Sequence, residues 1–210
     1  MQRRSRAGGS CLSPRRIPCR QVLLPDREGE RPLVPGPILL QNGRIMALRR
    51  NHYDVAFEEL LRQLRRPYVS VNETRRSLTR DTSLKSMDFI VYSPHDCNLL
   101  IDVKGRRLPG GCRSWDNWAT ADDIHSLMKW EQVFGERFRA LLLFAYDVTA
   151  PRAISQHALT WEIAGRRYAF YGVWARDYQS AMYCFSPRWE TVALPAREFE
   201  RLRRPLFEVL

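Results

Sequence analysis

The chain has no apolar run near the roughly 20 residues that span a bilayer, and no 7–15-residue apolar stretch at its start of the secretory kind. Neither a membrane partner nor an export route is expected. Cysteine is sparse: Cys11, Cys19, Cys97, Cys112 and Cys184 are an odd set, widely spaced and without a CxxC pair. That excludes a zinc knuckle, a dithiol redox site and a disulfide framework, and suits a reducing cytoplasm. The four histidines, His52, His95, His125 and His157, show no metal-ligand spacing. Gly105, Gly110 and Gly111 do not form a spaced phosphate loop before a helix and are expected to lend flexibility. No internal repeat is visible. Acid is outnumbered: 34 Lys and Arg against 23 Asp and Glu give a net charge of +11, which favours a polyanionic partner.

At 210 residues there is room for one ordinary core with additions. Residues 1–45 hold nine Arg and three acidic residues, and Pro14, Pro18, Pro25, Pro32, Pro35 and Pro37 interrupt any period, as in a disordered basic arm. The competing interpretation is that translation starts at Met46. Residues 46–150 read as the core, and 151–210 as a β/α extension on the same domain.

From His52 the pattern becomes helical. Tyr53, Ala56, Phe57, Leu60, Leu61 and Leu64 make one apolar stripe, Asn51 is an N-cap, and Pro67 disfavours helix at Arg66. Tyr68 to Val71 is a first strand. Met87 to Ser93 and Asn98 to Lys104 are two more, joined over Pro94 to Asp96. Thr120 with Asp123 resembles a capping box, and Ile124, Leu127, Met128 and Phe134 give a second helix stopped by Gly135. A buried strand follows from Arg139 to Tyr146. The fold expected is therefore α/β (α+β), a mixed sheet flanked by helices in the order α-β-β-β-α-β. Beyond Pro151, strands are expected near Leu159–Ile163 and Tyr168–Trp174, a short segment near Gln179–Met182 and a last helix from Ala196 to Arg204.

Chemistry enters at the hairpin. Alternation puts Asp102 and Lys104 on one strand face, and a three-residue turn sets Asp88 opposite Asp102. That register gathers Met87, Phe89, Val91, Leu99, Ile101 and Val103 onto a wholly apolar opposite face. Two facing carboxylates repel, and a bound cation reverses the penalty; carboxylate oxygens suit magnesium or manganese. The alternative is a solvated surface pair at Asp102 and Lys104, worth under about 1 kcal/mol. Around the hairpin, Arg75, Arg76, Arg80 and Lys85 precede it and Arg106, Arg107, Arg113, Trp115 and Trp118 follow, so phosphate contacts and base stacking are weighed against a solvated loop with core tryptophans. Lys129 and Gln132 lie three apart on the second helix, where solvation is the simpler account.

Met87-Asp88-Phe89-Ile90 with Leu100-Ile101-Asp102-Val103-Lys104, in this element order, resembles the PD-(D/E)xK nuclease superfamily, Holliday-junction-resolvase-like and restriction-endonuclease-like members included. The resemblance implies a helix glutamate at Glu58, strand acids at Asp88 and Asp102, and a catalytic Lys104. It also implies metal held by Asp88, Asp102 and Glu58, hydrolysis of nucleic acid with DNA ahead of RNA, and a frequent homodimer. Arg75, Arg76, Lys85, Arg106, Arg107 and Trp115 would be the nucleic-acid contacts. His52-Tyr53-Asp54-Val55-Ala56-Phe57-Glu58 further resembles the motif of the HYExAFE family of planctomycete bacteria, with Asp54 in place of its first Glu. A binding module that keeps such a fold without turnover is the rival expectation.

Overall fold

The computed structural model describes residues 51–72, 76–78, 83–93, 97–108, 115–148, 154, 157 and 159–210. These all fall within residues 45–210, which form one compact unit. The arm over residues 1–45 and the turn over Pro94 to Asp96 lie outside the described residues.

The first helix, α1, runs His52–Gln63 with Asn51 as N-cap, its side chain accepting from the Tyr53 N–H. The strand Tyr68–Ser70 (β1) follows Pro67. A polar hairpin then intervenes, β2 (Arg76–Leu78) paired with β3 (Ser83–Lys85). Neither strand was expected, because three-residue strands rich in Arg, Ser and Lys carry no alternating apolar signal. β4 (Phe89–Val91) and β5 (Asn98–Arg107) form the expected antiparallel hairpin, with Ile90 opposite Leu100 and Val91 opposite Leu99. After β6 (Ala119–Thr120) comes α2 (Ala121–Phe134). Its N-terminus has both halves of the capping box, and its C-cap Gly135 sits at φ +82°, a conformation open to glycine.

β7 (Phe138–Asp147) is parallel to β5 over ten residue pairs. β8 (Trp161–Ile163) and β9 (Arg166–Trp174) follow; helix α3 (Ala175–Ala181) occupies the segment near Gln179. β10 (Tyr183–Ser186), β11 (Thr191–Ala193), α4 (Ala196–Leu202) and β12 (Arg204–Pro205) follow, before a last 3-10 turn at Leu206–Glu208. The main sheet is mixed and ordered β1-β4-β5-β7-β9-β12, with β8 on β9; β10-β11-β6 make a second, smaller sheet. Among the described residues no helix is long and apolar enough to cross a membrane.

Both faces of the main sheet are covered, which is why β7 reads as a near-continuous apolar run. Leu141, Leu143 and Ala145 pack with Phe57, Leu60 and Leu61 of α1, together with Phe89, Val91, Leu99, Ile101 and Val103. Ala140, Leu142, Phe144 and Tyr146 pack on the other face with Ile124 and Leu127 of α2, Tyr178 of α3 and Phe199 of α4. Met87 was expected on the α1 face and lies instead in the α2-side core. The cause is local. The Asp88 N–H donates to the Ile101 carbonyl at 2.9 Å, so regular pairing ends at Phe89–Ile101 and alternation does not continue to Met87. Gly105, expected in a flexible stretch, lies inside β5; a Cβ there would stand 1.9 Å from the Tyr53 ring, so glycine is what lets α1 close on the strand.

Candidate active site

The expected face of β5 does carry Asp102 and Lys104 together. The Lys104 Nζ stands 2.6 Å from Asp102 Oδ2, and both side chains are at least four-fifths buried. That depth removes the solvated-surface interpretation, because exposed ion pairs are weak while buried charges demand full compensation. The ammonium is shared: it also lies 2.9 Å from Oδ2 of Asp123, on the first turn of α2. From sequence Asp123 was only a helix cap, and nothing local to it signals that α2 would deliver it to β5.

Asp123 is satisfied on every side. Its Oδ2 accepts from the Thr120 N–H at 2.9 Å, its own N–H donates to Thr120 Oγ1 at 3.1 Å, and Lys85 Nζ donates to Oδ1 at 2.8 Å. Lys85 is held there because β3 is docked on α2: its N–H donates to Ser126 Oγ at 3.0 Å, and Trp130 Nε1–H donates to its carbonyl at 2.7 Å. Beyond it, Asp122 pairs with Arg76 at 3.0 Å, and Arg76 also donates to Ser83 Oγ at 2.7 Å. A chain of alternating charge thus runs Asp102, Lys104, Asp123, Lys85, Asp122, Arg76.

The two buried acids respond oppositely. Burial works against the charge on Asp123, but Lys104, Lys85 and Thr120 outweigh it and hold its carboxyl well below the usual range. Burial pushes Asp102 up, with the attraction of Lys104 insufficient to cancel it. Burial also opposes the charge on Lys104, yet Asp102 and Asp123 overcome it and raise its pKa, so the side chain is an ammonium at physiological pH. The Lys104 ammonium, 2.6 Å away, is the charged partner of Asp102 Oδ2.

Asp88 is buried immediately before β4, and its Oδ2 accepts from the Val103 N–H at 2.6 Å. The break in pairing that displaces Met87 therefore also turns the Asp88 carboxylate onto the backbone between Asp102 and Lys104. Glu58 is on α1, which covers the opposite face of the sheet; its described partners are Arg62 at 3.0 Å and the Tyr68 hydroxyl at 2.9 Å. Asp54 of the same helix is buried. Among the described residues no group of three or more His, Cys, Asp or Glu is arranged to hold a metal.

The expected nucleic-acid contacts are dispersed. Arg75, Arg80 and Arg113 lie outside the described residues. Arg76 and Lys85 belong to the charge chain. Arg106 is turned inward: it donates to the Gly105 and Trp118 carbonyls and lies 3.9 Å over the Trp118 ring, and burial lowers its pKa. Arg107 is exposed. Trp115 packs between Tyr146, His157 and Tyr171 with the Arg203 guanidinium 3.8 Å from its ring, so its faces are engaged within the fold. Lys129 and Gln132 are exposed and bonded to each other at 3.4 Å.

No protein-family model matches the chain. No curated protein matches it in sequence. Among solved structures it is similar to Hjc, a Holliday junction resolvase from the archaeal hyperthermophile Archaeoglobus fulgidus, with 14% identity, 76% of this chain and 95% of that chain covered, and a TM-score of 0.45. A likeness of that size assigns neither a fold family nor an activity; the chemistry of the site has to carry the function.

Proposed function

We propose that the chain is a metal-dependent phosphodiesterase acting on nucleic acid, DNA ahead of RNA, with Asp88, Asp102 and Lys104 at its site. One observation carries this reading: a buried aspartate stands 2.6 Å from a buried ammonium, and a second aspartate is fixed on the backbone between them. Folding alone gains little from such an arrangement, since an apolar replacement of a buried ion pair is often neutral or stabilising.

The donor set suits a hard divalent ion. Asp102 and Asp88 would hold magnesium or manganese; Glu58, the third acid that the resemblance implies, stands on the helix over the opposite face, engaged by Arg62 and Tyr68, and does not join them. When bound, the metal would neutralise phosphate charge and make a hydroxide available near neutral pH. The chain's own contributions follow from the geometry. Lys104, kept protonated by Asp102 and Asp123, supplies fixed positive charge for the phosphoryl oxygens rather than a proton acceptor. Asp123 positions Lys104 and is itself anchored by the capping box. The Val103 N–H holds Asp88 in a single orientation.

The resemblance to the HYExAFE motif rests on residues 52–58 and adds no activity. Arg75, Arg107 and the basic arm would serve phosphate contacts, and a homodimer would suit a substrate with two strands to cut. The test is cleavage of labelled duplex, single-stranded and branched DNA with magnesium or manganese by the wild type, Asp102→Ala and Lys104→Ala. Metal-dependent cutting by the wild type alone supports the proposal. Equal products from all three proteins sink it.

A second reading has its own observation. Lys104 and Lys85 already neutralise Asp102 and Asp123, so the same cluster suits a nucleic-acid-binding module without turnover. It predicts binding that survives Asp102→Ala, with no cleavage.

A further inference from the structure

The small sheet exposes aromatic rings of a kind that a folded surface ordinarily hides. Trp189 is 68% exposed, Phe185 54% and Tyr183 47%, and Trp118 beside them is 38% exposed. Isolated apolar residues on a surface need no explanation, but a contiguous aromatic group does. Here the rings are gathered by backbone design. The register of β10 on β11 shifts between Cys184 and Ser186, so Phe185 is the extra residue of a bulge. Trp189 ends the turn Pro187–Trp189, which closes through Glu190 at φ +48°. A non-glycine residue in that conformation costs about 1–2 kcal/mol. Asn117 fixes the opposite rim: its side chain accepts from the Leu194 N–H at 2.7 Å and donates to the Leu194 carbonyl at 3.2 Å, tying Trp118 and β6 to the end of β11.

Between the rings is a cleft of about 470 Å³, lined by Trp118, Thr120, Phe185, Ser186, Trp189 and Thr191. That lies within the range of small-ligand clefts, about 300–1,000 Å³. Cations accompany the rings: Arg106 lies 3.9 Å over Trp118 and Arg188 5.4 Å from Trp189. The cleft also reaches the charge chain. Thr120 lines it, and Thr120 Oγ1 accepts from Lys85 Nζ at 3.2 Å and from the Asp123 N–H.

We infer that this cleft is a stacking platform for unpaired nucleobases, leading single-stranded or locally opened nucleic acid toward the acid–lysine site. The inference rests on the nucleic-acid reading above and names its substrate class. A flat π-face is what every base offers, a duplex hides it, and exposed rings with flanking arginines recognise it without regard to sequence. Residues 46–210 carry 25 Lys and Arg against 20 Asp and Glu, a net +5 that favours the phosphate backbone. A protein partner would find the same rings; a preference for single strand over duplex is what separates the two.

The experiment uses the full chain in EDTA, with fluorescence anisotropy of a labelled dT15 and of a duplex of equal length, comparing the wild type with W189A, with F185A and with R188A. The wild type binds the single strand more tightly than the duplex. W189A and F185A each weaken the single strand about tenfold with the salt slope unchanged, because a ring contributes no counterion release. R188A lowers that slope by about 0.7. Equal affinity for duplex and single strand, or single-strand binding unchanged in both W189A and F185A, overturns the inference. Sedimentation of the same proteins closes the remaining route: a wild-type dimer that W189A converts to monomer assigns the patch to self-association and also overturns it. Cleavage by W189A with magnesium separates the two proposals. Loss of stacking with no cleavage even by the wild type removes the nuclease, not the platform; normal cleavage with unaltered binding removes the platform, not the nuclease.

Discussion

The two faces of the main sheet were built by the same alternating strands and ended with opposite chemistry. On the α1 side Phe57, Phe89, Phe170, Leu141 and Leu143 interlock with almost no exposure, and ring pairs such as Phe57–Phe89 meet edge to face at 5.3 Å. On the α2 side an equally buried core is interrupted on β5 after Leu100, where the next two side chains on that face are Asp102 and Lys104. The first face is explained by burial alone. The second face gives up apolar contacts for charges that must be compensated one by one, and such concessions mark places where something other than stability shapes the chain.

The contrast breaks most visibly under core truncation. Phe57→Ala removes a fully buried ring from the α1 face and should cost about 3–5 kcal/mol in urea or thermal unfolding, with no effect specific to cleavage beyond loss of folded protein. Lys104→Ala should cost a similar amount, about 3–5 kcal/mol, for a different reason: Asp102 and Asp123 are left buried without their shared cation. Lower salt should not rescue it, since desolvation rather than screening sets the penalty.

Acid sharpens the comparison further. His157 is buried beside Trp115, Tyr171 and Arg203; burial first, and then Arg203, lower its pKa to about 4 from an ordinary 6.5. The unfolded chain then binds a proton that the folded chain refuses. Stability should fall as pH drops from about 6.5 toward 4, by up to about 3 kcal/mol, and His157→Gln should flatten that slope in denaturant titrations. Asp123 adds a loss further down: its depressed pKa means stability present above the ordinary carboxylate range and forfeited as pH falls through its lower folded value. Asp102 runs the other way, its raised pKa making the charged form a cost to folding that acid relieves. The smallest effect expected is that of Thr120→Ala, about 1 kcal/mol for the cap, read by thermal unfolding; because Thr120 also accepts from Lys85, its removal should reach the charge chain as well.

What could be read from the sequence was local or periodic. The α1 stripe, the Asn51 cap, the capping box at Thr120, the stop at Gly135 and the pairing of Ile90 with Leu100 each depend on residues a few positions apart. Asp102 and Lys104 shared a face for the same reason. Asp123 escaped because its partner is nineteen residues back in β5 and reaches it only when α2 packs on the sheet. Met87 escaped because one misplaced hydrogen bond, Asp88 to Ile101, undoes an alternation that the sequence continues unbroken. The hairpin of β2 and β3 has polar strands, and the aromatic cleft draws its walls from Trp118 and from residues 185–191, far apart in the chain. None of these carries a period. The arm over residues 1–45 and the arginines at 75, 80 and 113 stay outside what the structure describes.

A charge kept for chemistry and a charge kept for folding respond differently to neutralisation, and Asp102 is where they can be told apart. Asp102→Asn keeps the side chain's shape, leaves Lys104 paired with Asp123, and removes an ionised group whose burial opposes folding. Thermal unfolding and magnesium-dependent cleavage of DNA, measured on the same preparation of Asp102→Asn and wild type, therefore form one decisive measurement. The account predicts a melting temperature unchanged or raised, together with cleavage reduced to background. A melting temperature lowered by many degrees with cleavage undiminished would contradict it, and would leave Asp102 as part of the scaffold.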